Sequence, residues 1–462
     1  MKTVKTLISP QLKNIHSGKV RESFRIDDKT RMILVTDKIS SFDKVLKSRI
    51  PYKGAVLNAL ADFWFEKTGG IIDNHMKKLI DPNISLVKEA KPIKIEMIVR
   101  GYLTGSMWRN YSKGKREFSG IKVGEGLTKN QKFEQPLVTP TTKEESDREI
   151  TPEDIVKEGW TTAELYDEME KISLQLFEFG SKYLAEKGIV LVDTKYEFGL
   201  VEDKLILIDE IHTPDSSRFW YVDDYQKNPE KVEQIDKEFV RQWLINNKTE
   251  HGYHDALPED VIAETSKRYL EIYRSITGSE LPGLETDPNS RMLANLVKHG
   301  IIKDGYVAII MGSPADIEHC NSIRDKLEKY DIFVDMRVVS AHKNGERIGG
   351  IAAEYNQSIE PGAVIAVAGR SNGLGGALSA NMAVPVINCP PFKDKVDMTV
   401  NINSSLMMPS KTPAATVVDV SNATQFSLRS LNIPRLKARF TEEIEKVKSD
   451  LIEADLKIRS GK

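Results

Sequence analysis

Three charged side chains in an otherwise apolar stretch have types and a spacing that could do chemistry. Asp193, Lys195 and Glu197 stand two residues apart, and side chains at this spacing share one face of a β-strand. Carboxylates gathered beside a lysine on a largely apolar strand are costly to bury without partners. They indicate a divalent cation and a ligand, because Mg²⁺ is usually held by one or two carboxylates together with substrate phosphates. The alternative is a solvated strand face with ordinary ion pairs.

A second apolar run, 204–208, ends in Asp209, and the polar residues before it predict a β-hairpin. If the loop holds an odd number of residues, such as 202–204, Glu197 falls opposite Asp209. A two-residue loop would instead place these two carboxylates on opposite faces. The sequence therefore brings the two acids together in only one of the two registers.

Two further segments have residues suited to phosphate binding. In the first, Gly18, Lys19 and Arg21 stand at the start of a predicted strand. Glycine permits close approach of the backbone and the cations neutralise charge, so this loop could close over a triphosphate. The loop is not a P-loop, because the spacing GxxxxGK[ST] is not met. Taken alone, the segment could also be a surface hairpin.

The second segment follows a predicted strand at residues 93–99. Arg100 ends this strand, and Ser106 follows it after Thr104-Gly105. A guanidinium makes bidentate contacts to a phosphate monoester, and a serine hydroxyl with backbone N–H groups completes such a cradle. The alternative is an arginine that caps a backbone carbonyl.

These segments occur in order with other short motifs. They are GKVR at 18–21, TDKISSFD at 36–43, RGYLTGS at 100–106, LVDTKYEFG at 191–199, DE at 209–210 and PDSSR at 214–218. In this combination the chain resembles SAICAR synthetase, the ATP-dependent ligase of purine biosynthesis that joins L-aspartate to carboxyaminoimidazole ribotide (CAIR). The resemblance implies an α+β ATP-binding domain of the SAICAR synthetase type, which is similar to kinase and ATP-grasp domains.

The same resemblance implies the sites for metal and nucleotide. Glu197 and Asp209 would coordinate Mg²⁺. The loop of Gly18, Lys19 and Arg21 would bind ATP. Both ligands then belong to one site, because ATP is the phosphoryl donor and Mg²⁺ accompanies its phosphates.

The substrate contacts are also implied by the resemblance. Arg100 and Ser106 would hold the 5′-phosphate of CAIR. Beyond the resemblance, Ser217 and Arg218 are candidate ligands for carboxylates of the substrates. Lys195 and Asp193 are the candidate catalytic residues, and Asp193 would orient either the lysine or the imidazole amine.

Length and composition limit the remaining possibilities. A chain of 462 residues is too long for one ordinary core, so two or three domains are expected. With a net charge of −2, the chain has no overall excess of basic residues of the kind that indicates binding to nucleic acid or an acidic membrane. With only Cys320 and Cys389, a disulfide framework is excluded. No signal peptide or membrane-spanning run is evident, so we expect a protein of the cytosol.

From Gly305 onward, short β-rich runs alternate with helical patterns. The predicted strands are 306–311, 332–339, 363–368 and 384–388, and the predicted helices are 317–330, 345–356 and 372–382. This alternation predicts a parallel sheet with right-handed crossovers and helices on both faces. Cys320 lies on the apolar face of the first helix and is expected in the core. Ligands of such sheets bind beyond the carboxyl ends of the strands.

Polar loops follow three of these strands, at Gly312–Asp316, Ser340–Lys343 and Gly369–Gly376. The loops should converge on one edge of the sheet. His342 would then lie between a hydroxyl-bearing loop and a cationic glycine loop, as a candidate acid or base. Taken alone, His342 could equally be a structural histidine.

The motifs of this half are GSPAD at 312–316, SAHK at 340–343, AGRSNGLGG at 368–376 and NCPP at 388–391. They resemble phosphoribosylaminoimidazole (AIR) carboxylase of the CO₂-using class found in animals. The resemblance implies a three-layer α/β flavodoxin-like domain, a homo-octamer, and His342 as the group that moves the C4 proton. The substrate-binding residues that it implies are Ser313, Asp316, Ser340, Lys343, Arg370, Ser371, Asn372 and Gly373.

The predicted domain plan has four segments. They are a SAICAR synthetase domain at 1–278, a linker at 279–304, a carboxylase domain at 305–432 and a helical extension at 433–462. In the first domain, helices are predicted at 162–187 and 258–277, and a short helix at 291–298 lies within the linker. The expected small molecules are AIR, CO₂ or bicarbonate, CAIR, L-aspartate and ATP.

Two other functions were compatible with parts of this pattern. A kinase-like phosphotransferase would share the nucleotide hairpin, the lysine and the two acids, but the sequence has no HRD-like catalytic loop. The C-terminal half could be a binding or oligomerisation module with a silent site. His342 and the loop 370–376 are both present, which favours a working site.

Overall fold

The computed structural model describes residues 2–42, 44–144, 147–233, 235, 237–250, 252–369 and 371–461. The chain divides into two units. The first unit comprises Met1–Thr6 and Asn14–Met292, and the second comprises Leu7–Lys13 and Leu293–Lys462. Across the described residues, no helix combines the length and apolarity that a membrane crossing requires.

Two larger sheets and two strand pairs organise the first unit. The sheets have the strand orders β1-β2-β3-β7-β6 and β11-β8-β13-β14, with β12 on β8 and β15 on β13, and the pairs are β4-β5 and β9-β10. The strands are β1 (Lys13–Ser17), β2 (Arg21–Arg25), β3 (Thr30–Val35), β4 (Lys38–Ser41), β5 (Lys44–Arg49), β6 (Met76–Asp81), β7 (Ile84–Lys88), β8 (Lys91–Tyr102), β9 (Glu117–Phe118), β10 (Ile121–Lys122), β11 (Lys132–Val138), β12 (Thr141–Thr142), β13 (Ile189–Val201), β14 (Lys204–Ile208) and β15 (Ser217–Tyr221).

The helices up to the division between the units are α1 (Lys53–Thr68), α2 (Gly105–Tyr111), α3 (Pro152–Lys157), α4 (Ala163–Ala185), α5 (Val222–Lys227), α6 (Glu238–Asn246), α7 (Glu259–Thr277) and α8 (Pro288–Lys298). The predicted helices at 162–187 and 258–277 are confirmed as α4 and α7. Thr162 caps α4 by accepting the Leu165 N–H, and α7 ends at Gly278 with a φ of 74°.

Helix α8 begins earlier than predicted. The apolar spacing predicted a start at residue 291, but Pro288 already belongs to the helix. Asp287 explains the difference, because its carboxylate accepts the Ser290 N–H at 3.1 Å and so caps the first turn.

The predicted β-hairpin is present, but the register with an odd loop is wrong. Val201 pairs with Lys204, so the loop is the two residues Glu202 and Asp203, both at positive φ. Such a turn matches the twist of the flanking strands. Glu197 therefore stands opposite Ile208 rather than Asp209.

The second unit is built on a parallel sheet, as predicted. Its strand order is β17-β16-β18-β19-β20. The strands are β16 (Tyr306–Met311), β17 (Phe333–Val338), β18 (Gly362–Val367), β19 (Val386–Asn388) and β20 (Ala415–Thr416), and the helices are α9 (Ile317–Leu327), α10 (Ile348–Asn356), α11 (Gly373–Ser379), α12 (Lys395–Asn401), α13 (Asn403–Leu406), α14 (Val420–Ser430) and α15 (Pro434–Arg459).

Helices cover both faces of this sheet, so the unit has three layers. On one face Val307 and Ile309 of β16 pack in a core with α9, α14 and α15, and this core contains Cys320. On the other face Ala308 and Ile310 pack with α10 and α11. Successive residues of a strand point to opposite faces, so the continuous apolar run of β16 serves both cores.

Residues 7–13 belong to the second unit, although they lie within the domain predicted at 1–278. The Ser9 hydroxyl donates a hydrogen bond to Glu360, and the Gln11 amide donates to the same carboxylate at 3.2 Å. Glu360 is buried, so these two donors satisfy a carboxylate that would otherwise be costly to bury. A contact across so many residues leaves no local signal in the sequence.

The buried histidine of the first unit predicts a dependence of stability on pH. His212 is fully buried beside Tyr196 and Trp64, and burial lowers its pKa from 6.5 to about 3. The unfolded chain therefore takes up a proton first, so stability is complete above the unfolded pKa and is lost as pH falls toward 3. Between pH 7 and pH 5, the free energy of unfolding should therefore fall by about 2 kcal/mol less in His212→Gln than in the wild-type protein. Denaturant titrations followed by tryptophan fluorescence measure this loss.

The control is His16→Gln, because His16 is exposed. This variant should keep the pH dependence of the wild-type protein. An equal pH-dependent loss in His212→Gln and wild type would contradict the assignment.

Candidate functional site

Strand β13 carries Asp193 into a buried pair of arginines. Its carboxylate accepts a hydrogen bond from Arg218 on β15 and lies 3.6 Å from the Arg100 guanidinium on β8. The register of the sheet places Asp193 opposite both arginines. Asp193 therefore orients two cations, and not Lys195 as one reading of the sequence suggested.

Lys195 is held instead by two acids. Its Nζ lies 2.7 Å from Glu96 Oε1 on β8 and 2.7 Å from Glu197 Oε1. Burial opposes the charge on this ammonium, but the carboxylates of Glu197 and Glu96 outweigh burial and hold the pKa of Lys195 well above its usual value. Lys195 is therefore a fixed cation, suited to neutralising anionic oxygens rather than accepting a proton.

The carboxylates of Glu197 and Asp209 meet despite the two-residue turn. Asp209 follows the last residue of β14 with a φ of 66°, and its carboxylate lies near enough to Glu197 for each to shift the pKa of the other. The expected placement on opposite faces fails because Asp209 lies outside the strand, where alternation no longer applies. Burial and then Asp209 raise the pKa of Glu197, whereas Arg21 and Lys195 overcome burial and lower the pKa of Asp209.

This pair of carboxylates fits magnesium. Its donors are oxygens, which Mg²⁺ prefers, and Lys143 already bonds to Glu197 in the place where a cation would bind. Within the described ranges, no cluster of three or more acidic, histidine or cysteine side chains could hold a metal. Glu197 and Asp209 supply the one or two carboxylates with which Mg²⁺ is usually bound beside water and substrate phosphates.

The predicted nucleotide loop lies next to these acids. The Gly18 N–H donates to the Arg21 carbonyl at 2.8 Å, which closes the turn, and Lys19 is exposed. The Arg21 guanidinium points inward, 3.2 Å from Asp209 and 2.7 Å from Glu210. Arg21 of this loop therefore contacts the acids Asp209 and Glu210, and Lys19 lies at the surface.

A cleft of about 620 Å³ opens beside this row of charges. The predicted site residues that line it are Arg100, Ser106, Asp193, Lys195 and Arg218. Asp147 also lines it, as do Arg109 and Ser216. The arginines give the cleft the chemistry of an anion-binding site.

The hydroxyl of Ser217 is used inside the sheet. It lies 2.7 Å from the Thr194 hydroxyl, and both residues are buried. Ser216, its neighbour, lines the cleft instead. Ser216 lies in the turn before β15, which begins at Ser217.

Three groups of residues at this site had not been identified from the sequence. Glu96 on β8 pairs with Lys195, Lys143 after β12 pairs with Glu197, and one face of α6 lines the cleft through Glu238, Arg241 and Ile245. The signal for α6 was available, because Val240 and Leu244 form its buried apolar face while the charged residues stand on the other. Glu96 and Lys143 carry no local signal.

A buried ion pair supports the turn that bears the PDSSR motif. Lys53 is fully buried, and its Nζ lies 2.7 Å from Asp215 Oδ2. The Tyr269 hydroxyl donates to the other oxygen of this carboxylate at 2.7 Å. Burial would raise the pKa of Asp215, but Lys237 and Lys53 outweigh it and lower this pKa. The turn therefore rests on a carboxylate that stays ionised.

In the second unit the three predicted loops leave one edge of the sheet, because β16, β17 and β18 are adjacent and parallel. A side chain on Gly373 would place its Cβ 2.9 Å from His342 Cε1. The imidazole therefore packs directly against the glycine loop, and His342 is itself exposed. The structure thus brings His342 and Gly373 together.

The glycine loop is braced from within. Asn372 is buried, its amide donates to the Ser405 hydroxyl at 2.8 Å and its carbonyl oxygen caps α11. Asn372 thus holds the loop in shape, and it lines a cleft of about 390 Å³ together with Ser371, Gly373 and Met407. Arg370 lies outside the described residues.

The other loops place their polar groups as follows. The Ser313 hydroxyl accepts the Ala315 N–H at 3.3 Å, and the Ser340 N–H donates to Asn344 at 2.8 Å. Lys343 is exposed. Burial raises the pKa of Asp316, and His319 opposes this shift.

Comparison with known proteins gives two family matches. The sequence model described as SAICAR synthetase matches residues 14–258, and the one described as AIR carboxylase matches residues 306–452. The chain is 42% identical over 297 residues to phosphoribosylaminoimidazole-succinocarboxamide synthase of Legionella pneumophila (strain Paris), which covers 61% of this chain and 94% of the relative. The corresponding protein of Bacteroides thetaiotaomicron is 43% identical over 280 residues, covering 59% and 89%.

A solved structure agrees with this match. It is the SAICAR-synthase from Saccharomyces cerevisiae complexed with SAICAR, with a TM-score of 0.54 and 34% identity. The similarity covers 60% of this chain and 99% of that one. The match therefore includes nearly the whole of the yeast protein.

The ion pair of Lys53 gives a prediction for stability. Lys53→Met should lower the free energy of unfolding by about 3 kcal/mol at pH 7, because it leaves the Asp215 carboxylate buried without its nearest cation. Denaturant titration measures this loss. Adding Asp215→Asn should recover part of it, since the uncompensated charge is then removed.

The matched control is Lys267→Met, because the Lys267 side chain is 66% exposed. This variant should stay within about 0.5 kcal/mol of the wild-type protein. A Lys53→Met variant as stable as this control would contradict the argument.

Proposed function

This chain belongs to the SAICAR synthetase family and carries an AIR carboxylase domain, and from that premise we propose how its two units divide the work. The protein is a bifunctional enzyme of purine biosynthesis, a ligase and a carboxylase. We assign carboxylation of AIR to CAIR to the second unit. The first unit then joins CAIR to L-aspartate with ATP and gives SAICAR, ADP and phosphate.

In the first unit, the proposal rests on the charged residues Asp193, Lys195 and Glu197, which share one face of β13. A carboxylate is a poor acyl donor, so we propose that ATP phosphorylates the CAIR carboxylate to an acyl phosphate. Lys195, which remains charged, would neutralise the oxygens of the transferring phosphoryl group. The amine of aspartate then attacks the acyl carbon. The C–N bond forms, the C–O bond to phosphate breaks, and phosphate leaves while the amine loses a proton.

The nucleotide and its metal would lie at the acid cluster. Glu197 and Asp209 would hold Mg²⁺, which when bound supplies charge neutralisation for the phosphates of ATP. Arg21 would contact the same phosphates after releasing Asp209, and Gly18 and Lys19 would form the loop above them. The burial of Glu197 and the proximity of the two carboxylates support this assignment.

The cleft of the first unit would hold CAIR. Arg100 and Ser106 would bind its 5′-phosphate, and Arg218 would bind a carboxylate. Asp193 would fix the two guanidinium groups in place, because it contacts both. Holding the reacting groups in one orientation is a large part of what such a site can contribute to the rate.

In the second unit we propose that AIR reacts with CO₂ without ATP. The enamine carbon C4 attacks CO₂, and His342 removes the proton that C4 then carries. The packing of the imidazole against Gly373 supports this role, since it fixes the ring beside the loop. The residues that would bind the ribotide and CO₂ are Ser313, Asp316, Ser340, Lys343, Arg370, Ser371, Asn372 and Gly373. Lys343 after the histidine and the loop sequence support the CO₂-using class.

Assembly and location are proposed on the same basis. We expect a homo-octamer in the cytosol, as the family resemblance implies. Exposed apolar residues at helical spacing on α15 support self-association, and they are Ile444, Val447 and Leu451. A partner surface would cover this stripe.

Two single substitutions should separate the activities. His342→Asn should reduce ATP-independent formation of CAIR by about 100-fold or more, because it removes the acid/base group, and should leave ligation of supplied CAIR unchanged. Glu197→Gln should have the opposite effect, because it weakens the proposed metal site. Ultraviolet absorbance of the imidazole products measures both steps.

Each variant serves as the control for the other. Loss of both activities in folded His342→Asn would contradict the proposal of separate sites. Unimpaired ligation in Glu197→Gln would remove Glu197 from the metal and phosphate site.

A further inference from the structure

Three exposed apolar side chains line the cleft of the first unit, and they are Phe42, Ile245 and Tyr253. Phe42 keeps 40% of its surface exposed and Tyr253 keeps 42%. The other described residues that line this cleft are charged or polar, apart from Ile98. A group of exposed apolar side chains among ionised ones indicates that these residues face a ligand or a reacting group.

The rings of Phe42 and Tyr253 are stacked on each other. Their centroids lie 4.3 Å apart, and the angle between their planes is 9°. Phe42 stands between β4 and β5 with a φ of 49°, which is uncommon and costly for a residue with a bulky side chain. The fold therefore holds this ring at the cleft although the backbone conformation is unfavourable.

Hydrogen bonds join the two segments that carry these rings. The Lys47 N–H on β5 donates to the Asp255 carbonyl at 2.6 Å, and the Leu257 N–H donates to the Ser48 hydroxyl at 2.8 Å. The hairpin β4-β5, this segment and α6 also share a small apolar core. The buried members of this core are Ile39, Leu46, Ile50, Val240, Leu244, Leu257 and Val261. The stacked pair therefore has a fixed position before a substrate binds.

Water competes with the amine of aspartate for the proposed acyl phosphate. If water attacks the acyl carbon, a new C–O bond forms, the C–O bond to phosphate breaks, and CAIR returns after loss of a proton. Each such event consumes one ATP and forms no SAICAR. The cleft contains Lys195 and several arginines, which are strongly hydrated, so apolar surface is needed to keep water away from a reactive intermediate.

We propose that the stacked rings of Phe42 and Tyr253 form an apolar wall that keeps bulk water from the acyl phosphate. The inference rests on the proposed ligase function. Both rings line the cavity that also includes Lys195, the residue assigned to the transferring phosphoryl group. Neither ring makes or breaks a bond. The pair instead determines how often the amine, rather than water, captures the intermediate.

The test measures the phosphate released per SAICAR formed by the purified full-length protein with CAIR, ATP, Mg²⁺ and saturating aspartate. The wild-type enzyme should release one phosphate for each SAICAR, because the ligase reaction has this stoichiometry. Phe42→Ala and Tyr253→Ala should each raise this ratio about two- to tenfold, because water then reaches the acyl phosphate. The excess phosphate should disappear when CAIR is omitted, since the acyl phosphate cannot form without it.

Two conservative variants separate the exclusion of water from other effects of the substitutions. Phe42→Leu and Tyr253→Phe keep an apolar side chain in place, so both should keep the ratio of phosphate to SAICAR near the wild-type value. Phe426→Ala is the matched control, because Phe426 on α14 is 47% exposed and lines neither of the two clefts. This variant should show the same ratio as the wild-type enzyme.

An unchanged ratio in both alanine variants would overturn the inference. Together with a raised KM for CAIR, it would mean that the rings bind the ribotide, and together with a lower unfolding midpoint, that they only stabilise the hairpin. Excess phosphate that persists without CAIR would also overturn it, because that phosphate comes from hydrolysis of ATP itself. Failure of the wild-type enzyme to form SAICAR from CAIR would instead refute the proposed ligase function.

Discussion

The first unit depends on keeping ionised side chains paired inside a β-sheet. Asp193, Lys195 and Glu197 share one face of β13, and each of them contacts an opposite charge: Asp193 the Arg100 guanidinium, and Lys195 the carboxylates of Glu96 and Glu197. Breaking such a pair leaves an uncompensated charge, which costs more than the pair contributes to stability. The register of the sheet and the positions of these charges therefore constrain one another. A site built in this way is already oriented before a substrate arrives.

The ion pairs also determine the charge state of each side chain and therefore its possible role. Acids on both sides keep Lys195 charged, so it serves as an electrostatic anchor. Arg21 and Lys143 stand at the carboxylates that would bind the metal, and they would have to yield when ligand phosphates and Mg²⁺ enter. In the proposed mechanism of this unit, the residues contribute electrostatic preorganisation and orientation rather than proton transfer. The second unit differs, since an exposed histidine beside a glycine loop is placed to move a proton.

The features of the fold that were predicted correctly are those that follow from strand alternation or helical spacing. The shared face of Asp193, Lys195 and Glu197, the hairpin, the main helices and the parallel sheet all follow from such patterns. The meeting of Glu197 with Asp209 required a positive φ outside the strand, which no alternation rule contains. The later elements β20, α12, α13 and α14 were not predicted, because each is short or lacks a strong apolar period.

Contacts between distant parts of the chain account for the remaining differences. Glu96 reaches Lys195 from β8 because strands far apart in the sequence are neighbours in the sheet. The segment 7–13 joins the second unit because Glu360 needs donors. Neither contact has a sequence pattern of its own. The motif resemblance predicted the sites without these two contacts, because neither contact belongs to a motif.

The central claim is that one chain carries out carboxylation and then ligation. The most direct measurement supplies the purified protein with AIR, ¹³C-bicarbonate, L-aspartate, Mg²⁺ and ATP, and follows the label by mass spectrometry. The account predicts labelled SAICAR with ATP and labelled CAIR alone without it. Formation of SAICAR only from added CAIR, with no label entering from bicarbonate, would contradict the account and leave the second unit without its assigned reaction.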